Sequence, residues 1–169
     1  MSETVAQDRI QIGALEAAAF RIGYGTYHLM DKMNASEAID SFGVAYEAGI
    51  NLFDTSDNYG TELAIGRAVS AGVIEREHVV IATKTGLGTT AREQQAWDAS
   101  KRRYNTDPER VRRQVDNSLR VLGDGVGIID LYQLHVYDPE VPHEAHAELM
   151  SELVEEEKIR AWGVSNYSN

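Results

Sequence analysis

Three observations predict an α/β fold built on a parallel sheet. Short apolar runs of strand length recur, helical patterns with one apolar face separate them, and most successive runs begin roughly 30 residues apart. The runs are Phe20–Thr26, Ile50–Asp54, His78–Thr83, Ile128–Leu134 and Arg160–Val164. A strand that reaches the next one through a helix must cross over, so neighbouring strands lie parallel. A doubly wound open sheet and a (β/α)8 barrel share this spacing, and periodicity alone does not choose between them.

Before residue 21, Arg9-Ile10-Gln11-Ile12 alternates as a strand does, while Leu15–Ala19 fits either strand or helix. The first helix should begin at Asn34, an N-cap with Glu37 three positions on. Ala38, Ile39, Phe42, Ala45 and Tyr46 share one face, and Gly49 ends it. A second helix is expected over Thr61–Ala71, with Leu63, Ala64, Ala68 and Val69 inward and Gly72 closing it. The third opens at Thr106-Asp107-Pro108-Glu109, where proline suits the first turn, and carries Val111, Val115, Leu119 and Leu122 before Gly123. A fourth follows Pro142, with Ala145, Leu149, Leu153 and Val154 as its stripe. Between the third and fourth strands, Thr85–Asn105 reads as a polar insertion.

The 169 residues, 43% apolar and 25% charged, make one globular domain the expectation, spanning 1–169. A net charge of −11 repels phosphate backbones and anionic membrane surfaces, so neither nucleic acid nor membrane is an expected partner. The chain has no cysteine, which removes disulfides, thiolate metal sites and thiol nucleophiles. Its most hydrophobic run, Ile128–Leu134, is interrupted by Asp130 and Gln133, and Met1-Ser2-Glu3-Thr4 lacks the features of a secretory signal. A cytoplasmic location is the reading that results.

In both candidate architectures the active site lies beyond the carboxyl ends of the strands. There the second run ends in Asp54, the third in Lys84, the fourth in His135 and the fifth in Ser165-Asn166, with Tyr59 five residues past Asp54. Each of these alone has an ordinary structural role as cap, turn residue or solvated charge. Together, and in this order, they are specific. The segments Phe53-Asp54-Thr55-Ser56-Asp57-Asn58-Tyr59-Gly60, Thr83-Lys84, Asp130–His135 and Gly163-Val164-Ser165-Asn166, with Gly25-Thr26 after the first strand, closely resemble the aldo-keto reductase family from about Arg21 onward.

That resemblance implies a parallel (β/α)8 TIM barrel, truncated here after about five strands, and an NADPH-dependent reductase of small aldehydes or ketones. It makes Asp54, Tyr59, Lys84 and His135 a catalytic tetrad and assigns Gly25, Thr26, Asp54, Ser165 and Asn166 to the cofactor, with Tyr27 lining the substrate pocket. No residue here distinguishes NADPH from NADH. Because such a barrel needs about 250 residues, the 169 residues are expected to be a fragment that is inactive alone.

The residue types suit the chemistry. Carbonyl reduction needs a proton donor near the oxygen, and a phenol of pKa about 10 is a weak acid unless its phenolate is stabilised. Lys84 is expected to lower the Tyr59 pKa, Asp54 to pair with Lys84, and His135 to hydrogen-bond the substrate oxygen. Two other motifs are set aside. Gly86–Ala91 fits G-x-G-x-x-A, but Arg92–Asn105 lacks the apolar helix face of a dinucleotide-binding unit. His143 and His146 read as exposed helix-face histidines, so no metal site is expected. The rival from another class is a binding or slow redox-sensor protein on the same barrel, which an aldehyde turnover assay separates.

Overall fold

The computed structural model describes residues 9–13, 15, 18–87 and 105–167. Strands β1 (Arg9–Ile10) and β2 (Ala19–Phe20) pair antiparallel as a small separate sheet. The main sheet contains β3 (Tyr24–Gly25), β4 (Leu52–Asp54), β5 (Val80–Thr85), β6 (Ile129–Leu134) and β7 (Ile159–Val164), side by side in chain order and all parallel. Helices α1 (Ala35–Glu47), α2 (Glu62–Ser70), α3 (Pro108–Leu122) and α4 (His143–Glu155) form the crossovers. This is the expected α/β barrel order, carried through five strands.

The apolar run Phe20–Thr26 is two strands in two sheets and not one. The Asn51 side chain explains the break, because Phe20 N–H donates to its Oδ1 at 2.7 Å while its Nδ2 donates to Ala18 O and His78 O. That clamp fixes the hairpin at the start of β4. The chain then crosses Leu52 closely at Gly23, where a Cβ would lie 3.0 Å from Leu52 Cδ2.

The helix starts follow their capping chemistry. Asn34 Oδ1 accepts from Ser36 and Glu37 N–H, and Glu37 Oε2 accepts from Asn34 N–H, so both halves of the expected capping box form. Asp107 accepts from Arg110 N–H at the head of α3, one residue before Pro108. In α2 the expected stripe is rotated. Leu63 is 47% exposed, whereas Glu62, Ile65 and Gly66 face inward. The small residue is required there, since a Cβ on Gly66 would stand 2.0 Å from Leu122 O on α3.

Strand alternation divides the core. Phe53, Ile81 and Tyr132 pack against Phe42, Ile65, Val115, Met150 and Leu153 of the helices. On the other face Val80, with Leu52 and Ala161 beside it, meets Leu15 and Ala19 from the hairpin segment. At the amino ends of the strands Arg76 donates to Val126 O, Ile128 O and Val79 O and pairs with Asp130, whose Oδ2 also accepts from Ile81 N–H. This joins β5 to β6 at the end opposite the tetrad. Among the described residues no helix is long and apolar enough to cross a membrane. Most of the motif at Gly86–Ala91 and most of the insertion Thr85–Asn105 lie outside the described residues.

Candidate active site

The sheet's pairing continues past the strand ends and fixes the rim. Thr26 N–H donates to Asp54 O, Thr55 N–H to Ala82 O, Asp57 N–H to Lys84 O, His135 N–H to Thr85 O and Ser165 N–H to Leu134 O. Each residue beyond a strand is thus held by its neighbour's backbone. Side chains carried on such segments are positioned before any ligand arrives.

Lys84, 7% exposed, donates to both Asp54 oxygens at 2.6 and 2.7 Å and to Thr55 O at 2.9 Å. These three acceptors satisfy the three ammonium hydrogens. The Nζ lies 5.3 Å from the centroid of the Tyr59 ring, and the Tyr59 hydroxyl is 3.3 Å from His135 Nε2. Four residues from three separate strand ends therefore meet, as the sequence order implied.

The electrostatics depart from expectation in one respect. Lys84 does not lower the Tyr59 phenol, which is pushed up to about 12 by burial first and then by the negative charge of Asp54, with weaker contributions from the neighbouring Tyr27 and from Asp57. The reason is geometric, because the Lys84 ammonium faces the Tyr59 ring and is bound to Asp54. A charge already paired offers the phenolate little net attraction. His135 is pushed down to about 4, mainly by burial and then by the Lys84 charge, with Asp54 opposing. At neutral pH the site therefore holds a protonated phenol against a neutral imidazole.

Tyr27 lies against the Tyr59 ring, with centroids 4.9 Å apart and planes tilted by 49°, and is 60% exposed. Gly25 pairs with Asp54 across β3 and β4, and an added Cβ there would meet nothing within 4 Å. Thr26 is fully buried. Its hydroxyl donates to Asp54 O at 3.0 Å and lies 2.7 Å from Thr61 Oγ1, which in turn is 2.6 Å from Thr55 Oγ1. The Thr26 side chain thus braces Asp54 from beneath. Asn166 sits in the left-handed region at φ 56° and donates through Nδ2 to His135 O and Ser165 Oγ.

Sequence reasoning missed Ser56 and Asp57. Ser56 Oγ is 3.1 Å from both His135 Nδ1 and Lys84 O, and Asp57 accepts from Thr85 and Gln114 behind it. Burial pushes the Asp57 carboxyl up. Their one signal is position, between Asp54 and Tyr59. Of the histidines on α4, His146 is buried, and its Nε2 engages Thr106 O at 2.9 Å instead of facing solvent. No group of residues able to hold a metal occurs among the described residues.

Known proteins share this arrangement of strands. The aldo-keto reductase YhdN of Bacillus subtilis is 37% identical over 157 residues, covering 89% of this chain and 44% of that protein. The glycerol dehydrogenase AKR11B4 from Gluconobacter oxydans superposes with a TM-score of 0.78 at 31% identity, over 96% of this chain and 50% of that one. An aldo/keto reductase from Klebsiella pneumoniae, solved in complex with NADP and acetate, superposes with a TM-score of 0.71 at 27% identity, again over 96% of this chain and 50% of that one. The chain spans about half the length of these relatives. Residues 21–169 match the model of the aldo/keto reductase family, and with that match over nearly its whole length the chain belongs to the aldo/keto reductase family.

Proposed function

We propose that these residues form the proton-handling side of an NAD(P)H-dependent carbonyl reductase, with NADPH as the donor and a small aldehyde or ketone as the substrate. The observation that carries the reading is the Tyr59 hydroxyl, protonated at neutral pH, 3.3 Å from His135 Nε2 with the Lys84–Asp54 pair against its ring. Tyr59 gives its proton to the carbonyl oxygen as charge develops there, since an alkoxide is a stronger base than even a phenolate whose pKa is raised. His135 and Tyr59 together orient that oxygen. The Lys84 ammonium, held by Asp54 and Thr55 O, rests against the Tyr59 ring and keeps it in place. Tyr27 supplies an apolar wall for the carbonyl's substituents.

The residues present fit a nicotinamide cofactor. Nδ2 of Asn166 is engaged by His135 O, which leaves its Oδ1 and the Ser165 hydroxyl to meet the two polar ends of a carboxamide. Gly25 leaves open space beside Asp54, and Thr26 contributes by fixing that residue. When bound, the cofactor supplies the hydride. A solved relative from Klebsiella pneumoniae bound to NADP supports the choice of donor. The reading is tested in the completed barrel by following NADPH oxidation with 4-nitrobenzaldehyde and identifying the alcohol. Cofactor oxidation without alcohol formation would overturn it, as would no turnover in a preparation that binds NADPH.

A further inference from the structure

We infer that Asp57 is a positioning residue, which fastens the turn carrying Tyr59 to the strand carrying Lys84 and so sets where the Tyr59 hydroxyl stands. The inference rests on the proposed reading of Tyr59 as the proton donor.

Asp57 is attached to β5 at two successive residues. Its N–H donates to Lys84 O at 3.0 Å, and its Oδ2 accepts from the Thr85 hydroxyl at 2.6 Å. Gln114 Nε2 on α3 donates to the same oxygen at 3.0 Å. One bond fixes a distance, whereas backbone and side-chain bonds to adjacent residues of one strand also fix an orientation. From Asp57 the chain reaches Tyr59 in a single tight turn, closed by the Tyr59 N–H donating to Ser56 O at 3.0 Å. Two residues beyond Tyr59 the chain is held again by the buried Thr61, whose hydroxyl meets those of Thr26 and Thr55. That second anchor reaches the segments after β3 and β4, while Asp57 engages the strand that supplies Lys84.

The Tyr59 side chain itself is held by long contacts. Its hydroxyl is 3.3 Å from His135 Nε2, its ring centroid is 5.3 Å from Lys84 Nζ, and the Tyr27 ring beside it is 60% exposed. A ring restrained so loosely goes where its backbone goes. The residue type at 57 agrees with a fastening role. Burial raises the Asp57 carboxyl, and hydrogen bonds from Thr85 and Gln114 oppose that cost. A turn residue that joins nothing is better left in water.

The test uses the completed barrel and reads kcat for 4-nitrobenzaldehyde, NADPH affinity by fluorescence, and the NMR cross-relaxation between Tyr59 ring protons and Lys84 ε-methylene protons. Asp57→Ala should lower kcat by about tenfold or more, since a small misplacement of a reacting group is that costly. NADPH affinity should hold and the Tyr59–Lys84 cross-peak should disappear. Asp57→Asn keeps an oxygen that accepts from Thr85 and Gln114, so it should stay within about threefold of the parent and retain the cross-peak. In the Tyr59→Phe background Asp57→Ala should cost less than about twofold more, because a residue acting through Tyr59 has nothing left to act on. Thr85→Val deletes one donor at nearly constant shape and should shift rate and cross-peak in the same direction by less. A folded Asp57→Ala protein with the parent's rate or cross-peak would overturn the inference, as would an undiminished loss in the Tyr59→Phe background or an Asp57→Asn protein that fails equally. If Asp57→Ala does not fold, a Thr85→Val protein identical to the parent overturns it instead. A parent-like rate in Tyr59→Phe alone would sink the reading of the acid, and the cross-peak, which needs no turnover, would still decide the position.

Discussion

Lys84 Nζ binds both carboxylate oxygens of Asp54, yet the two side chains are buried unequally, 8% of Lys84 being exposed and 36% of Asp54. Breaking the pair from either end should therefore have unequal results. Asp54→Asn leaves a buried ammonium short of its strongest acceptor and should cost about 2 kcal/mol, below the full value for a buried pair because Asp54 is partly solvated. Lys84→Met leaves a carboxylate that water can reach and should cost roughly half as much. Urea midpoints of the two variants decide the order, and equal or reversed losses would refute it.

Tyr59→Phe removes one hydroxyl and retains the ring against which Tyr27 and Lys84 rest. In the completed barrel, reduction of 4-nitrobenzaldehyde should fall by about 10²–10⁴, the range for losing a general acid, with cofactor affinity unchanged. A rate within a few-fold of the parent would remove Tyr59 from the role of acid.

His135 should titrate near 4, well below an ordinary histidine at 6.5. Between those values the unfolded chain binds a proton that the folded one does not, so this residue makes stability fall as pH drops from about 6.5 to about 4. Above 6.5 both states are neutral and the effect vanishes. His135→Gln should flatten that part of the stability profile, and an imidazole titrating above 6 would contradict the described burial.

Gly66→Ala is an unremarkable change on most helices, and Ala is the better helix former. Here the added methyl would meet the Leu122 carbonyl at 2.0 Å and force α2 away from α3. A loss of about 2 kcal/mol is expected, the size of an overpacked core contact. Thermal unfolding measures it, and a neutral result would mean that α2 shifts without cost.

How far the site could be read from the residues depended on where they stood. Asp54, Lys84 and His135 end apolar strand runs, and a parallel sheet delivers such residues to one edge. Ser56 lies in the loop after β4, where serine is an ordinary turn residue, and its contact with His135, 79 positions away, cannot be read from its neighbours in sequence. Leu63 was placed inward and Ile65 overlooked because a nine-residue helix of mostly small residues has no decisive apolar stripe. The Phe20–Thr26 run could not announce its break, since the cause is the Asn51 side chain 31 residues beyond Phe20. The raised Tyr59 pKa was also out of reach, because pairing of Asp54 with Lys84 was foreseen but its effect on the phenol was not.

The buried threonines beneath Asp54 have a polarity of their own. Thr26 gives its hydrogen to Asp54 O, so it can only receive from Thr61, and Thr61 can only receive from Thr55. Three hydroxyl dipoles therefore align head to tail, and each strengthens the next. Removing the middle one, as in Thr61→Val, would leave Thr55 a donor with nowhere to give and Thr26 an acceptor with nothing to receive. All three protons should be shielded from exchange with solvent and observable as slow hydroxyl resonances. The row points at the carbonyl of the residue whose carboxylate anchors Lys84, so the order of protons inside the sheet is aligned with the charge at its rim.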